Sequence, residues 1–376
     1  MKKFLCLIFS LSCAVTMFAA PDAAQIFRNT TRHVDLDGNN LLYINTTELG
    51  SMINALPGNI GKTVSALNEK PENVDNIVKG AEIILKTLNL SALKAAASSE
   101  KQYKKDLFLS KSVLYFGKAA ALPGLFNTSH YSNDLSLNAT LAEFPADVIA
   151  AVKFPCYPEG LFNDLEKNIA ATGNAKIKKL YAKAKAEIAK ENIDTKAILT
   201  SIGGNWSIIV AGNSEANLRA TVTIPDNNGA LTAYLKKVFP VDPKTPDRSL
   251  IPGPFKEMKP AILYLDKKVV LTSNTDLYAK VEKAFALPAD FVRMLPANAA
   301  SFKVVRLTPE LIAGLKKINE LTKEPVALKL LNALKPGMAF EATLVESDSV
   351  RSITVANFTA NDLLMGLINM LNEIKR

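Results

Sequence analysis

The chain has 376 residues, of which 48% are hydrophobic and 22% are charged, and its formal net charge is +9. This length and apolar content are enough for two or three domains with packed cores. With two histidines and three cysteines, the chain is poorly equipped for a zinc or transition-metal centre, for histidine acid–base catalysis or for a disulfide framework. We therefore predict no metal, no cofactor and no catalytic residue.

Residues 1–20 are typical of a secretory signal peptide. Two lysines precede an apolar run over residues 4–18, and Pro21 ends this run before it reaches the roughly 20 residues that a transmembrane helix needs. A lipoprotein signal with Cys13 as the modified residue is the alternative. We expect a periplasmic or extracellular protein, and the mature chain would keep Cys156 as its only cysteine. A packed thiol is expected there rather than a reactive one.

In the N-terminal unit, residues 21–140, a strand and a helix are predicted over residues 38–56, and another strand over residues 106–116. Ser91 is expected to cap a short helix that begins LSALKAAA. A second helix starts at Pro71, and its apolar residues recur at helical spacing. They are Val74, Ile77, Val78, Ala81, Ile84, Leu85 and Leu88.

Two weak site patterns occur in this unit. Two of the three sequence elements of penicillin-recognising enzymes occur here: the first is Ser91 with Lys94, and the second is Tyr131, Ser132 and Asn133. The third element, Lys-Thr-Gly, is absent from the sequence. We therefore interpret the spacings as coincidence.

The sequence HVDLDGNNLLYI suggests a calcium loop, because Asp35, Asp37 and Asn39 alternate as oxygen ligands do. An EF-hand loop needs glycine at its sixth position and glutamate at its twelfth, and these are Asn40 and Thr46 here. We therefore predict a turn that leads into a strand.

The middle unit, residues 141–290, and the C-terminal unit, residues 291–376, share two stretches of similar sequence. Residues 144–165 resemble residues 295–315, and the hairpin over residues 206–224 resembles that over residues 338–355. A helix follows each hairpin, and the last has its apolar stripe over residues 363–374. The predicted fold is α+β, with two repeated units of antiparallel sheet, each covered by amphipathic helices on one face. Residues 38–56 would begin a third unit.

Alternation predicts which face of these hairpins is buried. In the middle unit Ala220, Val222 and Ile224 alternate with Arg219, Thr221 and Thr223, and in the C-terminal unit Ile353 and Val355 alternate with Ser352 and Thr354. The apolar members are expected to face the core and the polar members to face water.

Residues 175–192, AKIKKLYAKAKAEIAKEN, predict a basic amphipathic helix. Its apolar face, Ile177, Leu180, Tyr181, Ala184 and Ile188, could lie on an anionic membrane, but we expect it to pack on the sheet of the middle unit. Trp206, the only tryptophan, is expected in the core. The proline-rich connection over residues 240–260 is long for a loop and is the best loop candidate for binding.

The segments GGNWSIIVAG, NLRATVTIPDNNGALTAYLKKVF and ILYLDKKVVLTSNTDLYAKVEKAF resemble the exported bacterial family catalogued as domain of unknown function 3352. The resemblance covers mainly residues 140–290, and the repeat starts at Phe144 and Leu295 extend it. It implies an envelope location and a repeated α+β architecture. It implies no catalytic or ligand-binding residues.

We predict an exported, non-enzymatic binding or structural protein of the cell envelope. The mature charge of +7, once Lys2 and Lys3 are removed, favours an anionic envelope component or a protein as partner, with at most peripheral membrane contact and no nucleic acid. The alternatives are a hydrolase with a carboxylate or Ser/Lys site and a carrier that holds a lipid between sheet and helices.

Overall fold

The computed structural model of the chain describes residues 21–45, 47–66, 71–88, 92–118, 132–214, 217–241, 243–251, 259–278, 283–322 and 336–357. The predicted signal peptide and the apolar stripe over residues 363–374 lie outside this part of the chain.

Helices and strands alternate irregularly along the chain. The helices are α1 (Pro21–Thr31), α2 (Thr47–Ala66), α3 (Pro71–Leu88), α4 (Leu137–Glu143), α5 (Pro158–Ala171), α6 (Ala175–Lys190), α7 (Thr195–Ser201), α8 (Ala230–Val238), α9 (Thr275–Tyr278), α10 (Ala289–Met294) and α11 (Pro309–Thr322). The strands are β1 (Asn40–Asn45), β2 (Ala95–Lys104), β3 (Leu107–Tyr115), β4 (Leu135–Ser136), β5 (Val148–Cys156), β6 (Gly204–Ala211), β7 (Arg219–Pro225), β8 (Arg248–Leu250), β9 (Ala261–Leu265), β10 (Lys268–Thr272), β11 (Asn298–Ala299), β12 (Ser301–Leu307), β13 (Gly337–Val345) and β14 (Ser349–Ala356).

Twelve of these strands form one antiparallel sheet in the order β1-β2-β3-β14-β13-β12-β5-β6-β7-β10-β9-β8. The α+β class is therefore confirmed. The units do not form separate sheets, because β3 pairs with β14 and β12 pairs with β5. We call strands β1, β2, β3, β14, β13 and β12 the first half of the sheet, and strands β5, β6, β7, β10, β9 and β8 the second half. The domain boundaries after residues 140 and 290 stay a prediction.

One face of the sheet, here called the core face, carries Phe302 and Val304 of β12. Both side chains are fully buried, and they pack with Phe340 of β13 under Leu141 of α4 and Phe291 of α10. The rings of Phe302 and Phe340 lie 5.9 Å apart. Full burial of one such side chain stabilises the fold by about 2–3 kcal/mol, so this cluster holds the two halves together.

The opposite face, here called the second face, is also covered in the second half of the sheet. Ile262 and Tyr264 of β9 and Val269 of β10 pack against Leu231 and Leu235 of α8. The prediction of helices on one face was therefore wrong. The continuous apolar run AILYL in β9 supplies both faces with apolar side chains, as in a strand buried on both sides.

The predicted alternation was wrong in β7. Arg219 and Thr221 are buried on the core face, and Ala220 is exposed. Arg219 can be buried because the Asp147 carboxylate accepts two hydrogen bonds from its guanidinium. In β14 the prediction was confirmed for Val355, which is fully buried.

The helix predicted at LSALKAAA was also wrong. Residues 95–97 begin β2, and Ala95 and Ala97 are buried where β2 pairs with β3. Pairing with a neighbouring strand has overridden the helix preference of alanine. The strands and helices predicted over residues 38–56 and 106–116 are confirmed as β1, α2 and β3.

Candidate functional site

Helix α6 has the largest net positive charge of the described helices and strands, and it lies on the surface of the protein. Its sixteen residues include six lysines and one glutamate, which gives a net charge of +5, and none of them is buried. Lysines lie on both sides of its apolar face, an arrangement that is typical of helices that rest on a charged interface.

The apolar face of α6 does not lie on the sheet, so that prediction was wrong. Leu180 is 58% exposed and Ile188 is 39% exposed, whereas only Ile177 and Tyr181 are half-buried. The helix packs instead along α5 and α3. This position leaves part of the apolar face and most of the lysines accessible.

The N-terminus of α6 is fixed by Asn174. Its Oδ1 accepts a hydrogen bond from the backbone N–H of Ile177 at 3.0 Å, as an N-cap does. Its Nδ2 donates to Asp75 Oδ2 at 3.1 Å and to Asn76 Oδ1 at 3.0 Å on α3. An open polar groove of about 680 Å³ lies between α3 and this turn.

Glu166 of α5 fixes the middle of α6. Its Oε1 accepts hydrogen bonds from the Tyr181 hydroxyl at 2.6 Å and from Lys185 Nζ at 2.8 Å. The hydrogen bond from Lys185, and to a smaller extent that from Tyr181, holds the pKa of Glu166 below its ordinary value. Burial and the Glu166 carboxylate together raise the pKa of Tyr181 to about 12. At the C-terminal end, Lys237 of α8 donates to the Glu191 carbonyl at 3.0 Å.

Three lysines of α6 are available to an external partner. In the part of the chain that the structure describes, Lys178, Lys179 and Lys183 form no ion pair, and all three are exposed. The helix is thus held at both ends and at its centre, and Lys178, Lys179, Lys183 and Leu180 take no part in these contacts. A rigid, basic, partly apolar ridge results.

Several of the other sequence candidates pair with residues of the fold, and some lie outside the described residues. Asp35 pairs with Lys111 at 2.7 Å and Asp37 pairs with Lys101 at 2.6 Å, which supports a turn rather than a calcium loop. The side-chain amide of Asn133 donates to the Val345 carbonyl and accepts from the Val345 backbone N–H, both at 2.9 Å.

Ser91 and Tyr131 lie outside the described residues, so the convergence of the Ser/Lys pattern stays untested. Trp206 is half-buried and donates to the Ile202 carbonyl at 2.8 Å. Burial raises the pKa of the Cys156 thiol, as expected for a packed cysteine. The proline-rich connection contains the edge strand β8, which pairs with β9, and residues 252–258 lie outside the described part.

Among the described residues no group of histidine, cysteine, aspartate or glutamate could hold a metal ion. Across the same stretches of chain, no helix has both the length and the apolar character that crossing a membrane requires. No family model, no curated protein and no solved structure matches the chain.

Proposed function

We propose that the protein is an exported, non-enzymatic protein that binds peripherally to an anionic lipid surface of the cell envelope through α6. The observation that carries this proposal is the exposure of Leu180 beside the lysines of a helix with no buried residue. In this proposal the chain consists of repeated α+β units, as the resemblance to domain of unknown function 3352 implies.

The physical basis is the sum of two modest contributions. Each lysine near an anionic leaflet contributes about 1 kcal/mol to binding, and this attraction extends over about one Debye length. Leu180 and Ile188 add apolar area that can enter the boundary between headgroups and acyl chains. Binding by one helix of this kind is reversible, and the anchoring of α6 by Glu166 and Asn174 removes the ordering cost that a free peptide would incur.

The charge contribution can be tested by co-sedimentation of the mature protein with phosphatidylglycerol vesicles and with phosphatidylcholine vesicles. The triple variant K178Q/K179Q/K183Q should lose most of the binding to the anionic vesicles. The control K105Q/K268Q/K317Q removes the same charge from exposed lysines elsewhere and should bind like the unchanged protein. Equal losses in the two variants would mean that only net charge matters and that α6 is not the site.

The apolar contribution has a matched control in the chain. Leu180 on α6 and Leu250 on the edge strand β8 are both 58% exposed. Leu180→Ser should weaken binding to anionic vesicles several-fold, and Leu250→Ser should leave it unchanged. Binding that is insensitive to Leu180→Ser would contradict insertion of the helix and leave only an electrostatic contact.

A further inference from the structure

A band of polar side chains crosses the first half of the sheet on its second face. Strand register places side chains of β2, β3, β14, β13 and β12 next to one another in two parallel rows. The first row is Glu100, Ser110, Thr354, Glu341 and Lys303, and the second is Ser98, Ser112, Ser352, Thr343 and Ser301. We call these ten residues the polar band.

The same row becomes apolar where it enters the second half of the sheet. Lys303 pairs with Val152. The row ends at the buried Ser249 of β8, and every member between Lys303 and Ser249 is apolar. These members are Val152, Ile208, Val222, Leu271 and Ile262. The first row of the polar band and this apolar row both have five members, one on each strand, on opposite sides of the boundary between β12 and β5. Helix α8 packs on the apolar row at Ile262. A helix can therefore cover this face where the row is apolar, and packing does not explain the polar residues of the band.

Two of the charged groups have partners: Lys303 Nζ pairs with Glu341 Oε1 at 3.0 Å, and the buried Glu100 accepts from Asn40 Nδ2 at 3.3 Å. The hydroxyl groups of the polar band, in contrast, are only weakly satisfied by one another. The Thr343 and Ser352 hydroxyls lie 3.4 Å apart, and the Thr354 hydroxyl donates to Glu341 Oε2 at 3.4 Å. Hydrogen bonds between oxygen atoms are normally about 2.7–2.8 Å long. Ser112 is exposed, and its neighbours in the second row are half-buried. The hydroxyl groups of the band are therefore available as donors and acceptors to a ligand.

The chemistry of the band selects one class of ligand. It contains two carboxylates and one ammonium group, so a polyanion is disfavoured. It contains no aromatic or large apolar side chain, whereas the centres of protein interfaces are rich in them. Short hydroxyls suit a ligand with many hydroxyl groups, and a carboxylate such as Glu341 can accept from an amide N–H.

We propose that the polar band binds an uncharged linear glycan that carries hydroxyl and acetamido groups, with its chain lying across the strands. Four strand spacings give the band a length of about 19 Å, enough for several sugar units. Val305, which is 41% exposed, follows Lys303 on the same face and can contact the C–H side of a sugar ring. This site is separate from α6 and does not depend on lipid binding.

The test is titration of the full mature protein with the pentasaccharide of β-1,4-linked N-acetylglucosamine, followed by calorimetry. The variant T343V/S352A removes two facing hydroxyls of the band and should bind about tenfold more weakly, since each lost hydrogen bond has a modest net value. The control S207A/T223V makes the same chemical change at a directly opposed Ser–Thr pair on the core face and should keep its affinity.

Two outcomes would overturn the proposal. One is the absence of any heat of binding to the unchanged protein at millimolar pentasaccharide, and the other is equal affinity in the two double variants. Because T343V/S352A could alter the fold, its thermal unfolding is compared with that of S207A/T223V. Glu341→Gln, which keeps size and shape, gives a second reading and should also weaken binding. All these variants should still bind phosphatidylglycerol vesicles normally if they retain α6.

Discussion

Arg219 and Asp147 form a bidentate ion pair, in which Nη1 donates to Oδ2 and Nη2 donates to Oδ1, each at 2.8 Å. The Arg219 side chain is mostly buried, so its charge depends on this partner. The pair joins the first residue of β7 to the turn before β5.

Asp147→Ala should lower the free energy of unfolding by about 2–3 kcal/mol, because it leaves the charge of Arg219 without its partner. Urea denaturation at neutral pH measures this loss. The hydrogen bonds from Arg219 also hold the pKa of Asp147 below its ordinary value of 3.8. The stabilisation is therefore complete above pH 3.8 and is lost as the pH falls below it, through the lowered pKa. An Asp147→Ala variant as stable as the unchanged protein would contradict this account.

Asp226 should stabilise the N-terminus of α8, whose N-cap residue is Gly229, more strongly than Asp194 stabilises that of α7. It is 4% exposed and accepts hydrogen bonds from the Ser201 hydroxyl and from the backbone N–H groups of Leu231 and Thr232. Asp226→Ala should cost about 2 kcal/mol of unfolding free energy, and Asp194→Ala, at the exposed cap of α7, about 1 kcal/mol. Thermal unfolding of both variants checks the order, and the reverse order would refute it.

His33 should make the protein less stable in mild acid. Burial lowers the pKa of His33 below its ordinary value of 6.5, although Glu346 lies 3.7 Å away. Arg32 Nε donates to His33 Nε2 at 2.8 Å, which requires the neutral ring. The unfolded chain therefore binds the proton more tightly, and stability falls as the pH drops below 6.5.

The measurement is urea denaturation of the unchanged protein and of His33→Gln at pH 7.5 and pH 5.5. His130 is present in both proteins, so its contribution cancels in the comparison. The loss of stability between the two pH values should be smaller in His33→Gln. Equal losses would show that His33 does not contribute to the pH dependence.

Vesicle binding by α6 should depend steeply on salt. Between about 0.1 M and about 1 M salt the Debye length falls from about 10 Å to about 3 Å, so exposed lysines lose most of their attraction to the lipid. Co-sedimentation over this range should show a large decrease for the unchanged protein and for Leu180→Ser. K178Q/K179Q/K183Q should have a shallower dependence, and an unchanged slope would contradict a role for these lysines.

Cys156 should react slowly with disulfide reagents. Because burial raises the pKa of its thiol, the fraction of reactive thiolate at pH 8 is smaller than for a free cysteine. Reaction with dithionitrobenzoate, measured on the protein without residues 1–20, should be slow in the native state and fast in urea. Immediate native labelling would indicate an accessible thiol.

Local elements were predictable from the sequence where their pattern is strong. The hairpins at residues 206–224 and 338–355 are present as β6–β7 and β13–β14, and α6 has nearly its predicted bounds. The surroundings of these elements were not predictable. Arg219 was predicted to face water because nothing in the sequence near it identifies Asp147 as its partner.

The polar band shows the same limit at a larger scale. Ser352 and Thr354 were predicted to face water, but only strand pairing sets Ser352 beside Ser112. The signal in the sequence was alternation of short hydroxyl residues in β3 and β14. Without the register, these serines belong to distant parts of the chain and form no group.

The pairing of β3 with β14 brings the first third of the chain against its last described strand. During synthesis, β3 has an unpaired edge until β14 has been made, and such long-range pairing is slow. An unpaired edge exposes the nascent chain to aggregation. A chain that crosses a membrane unfolded and completes its sheet afterwards would be kept by this topology from folding too early.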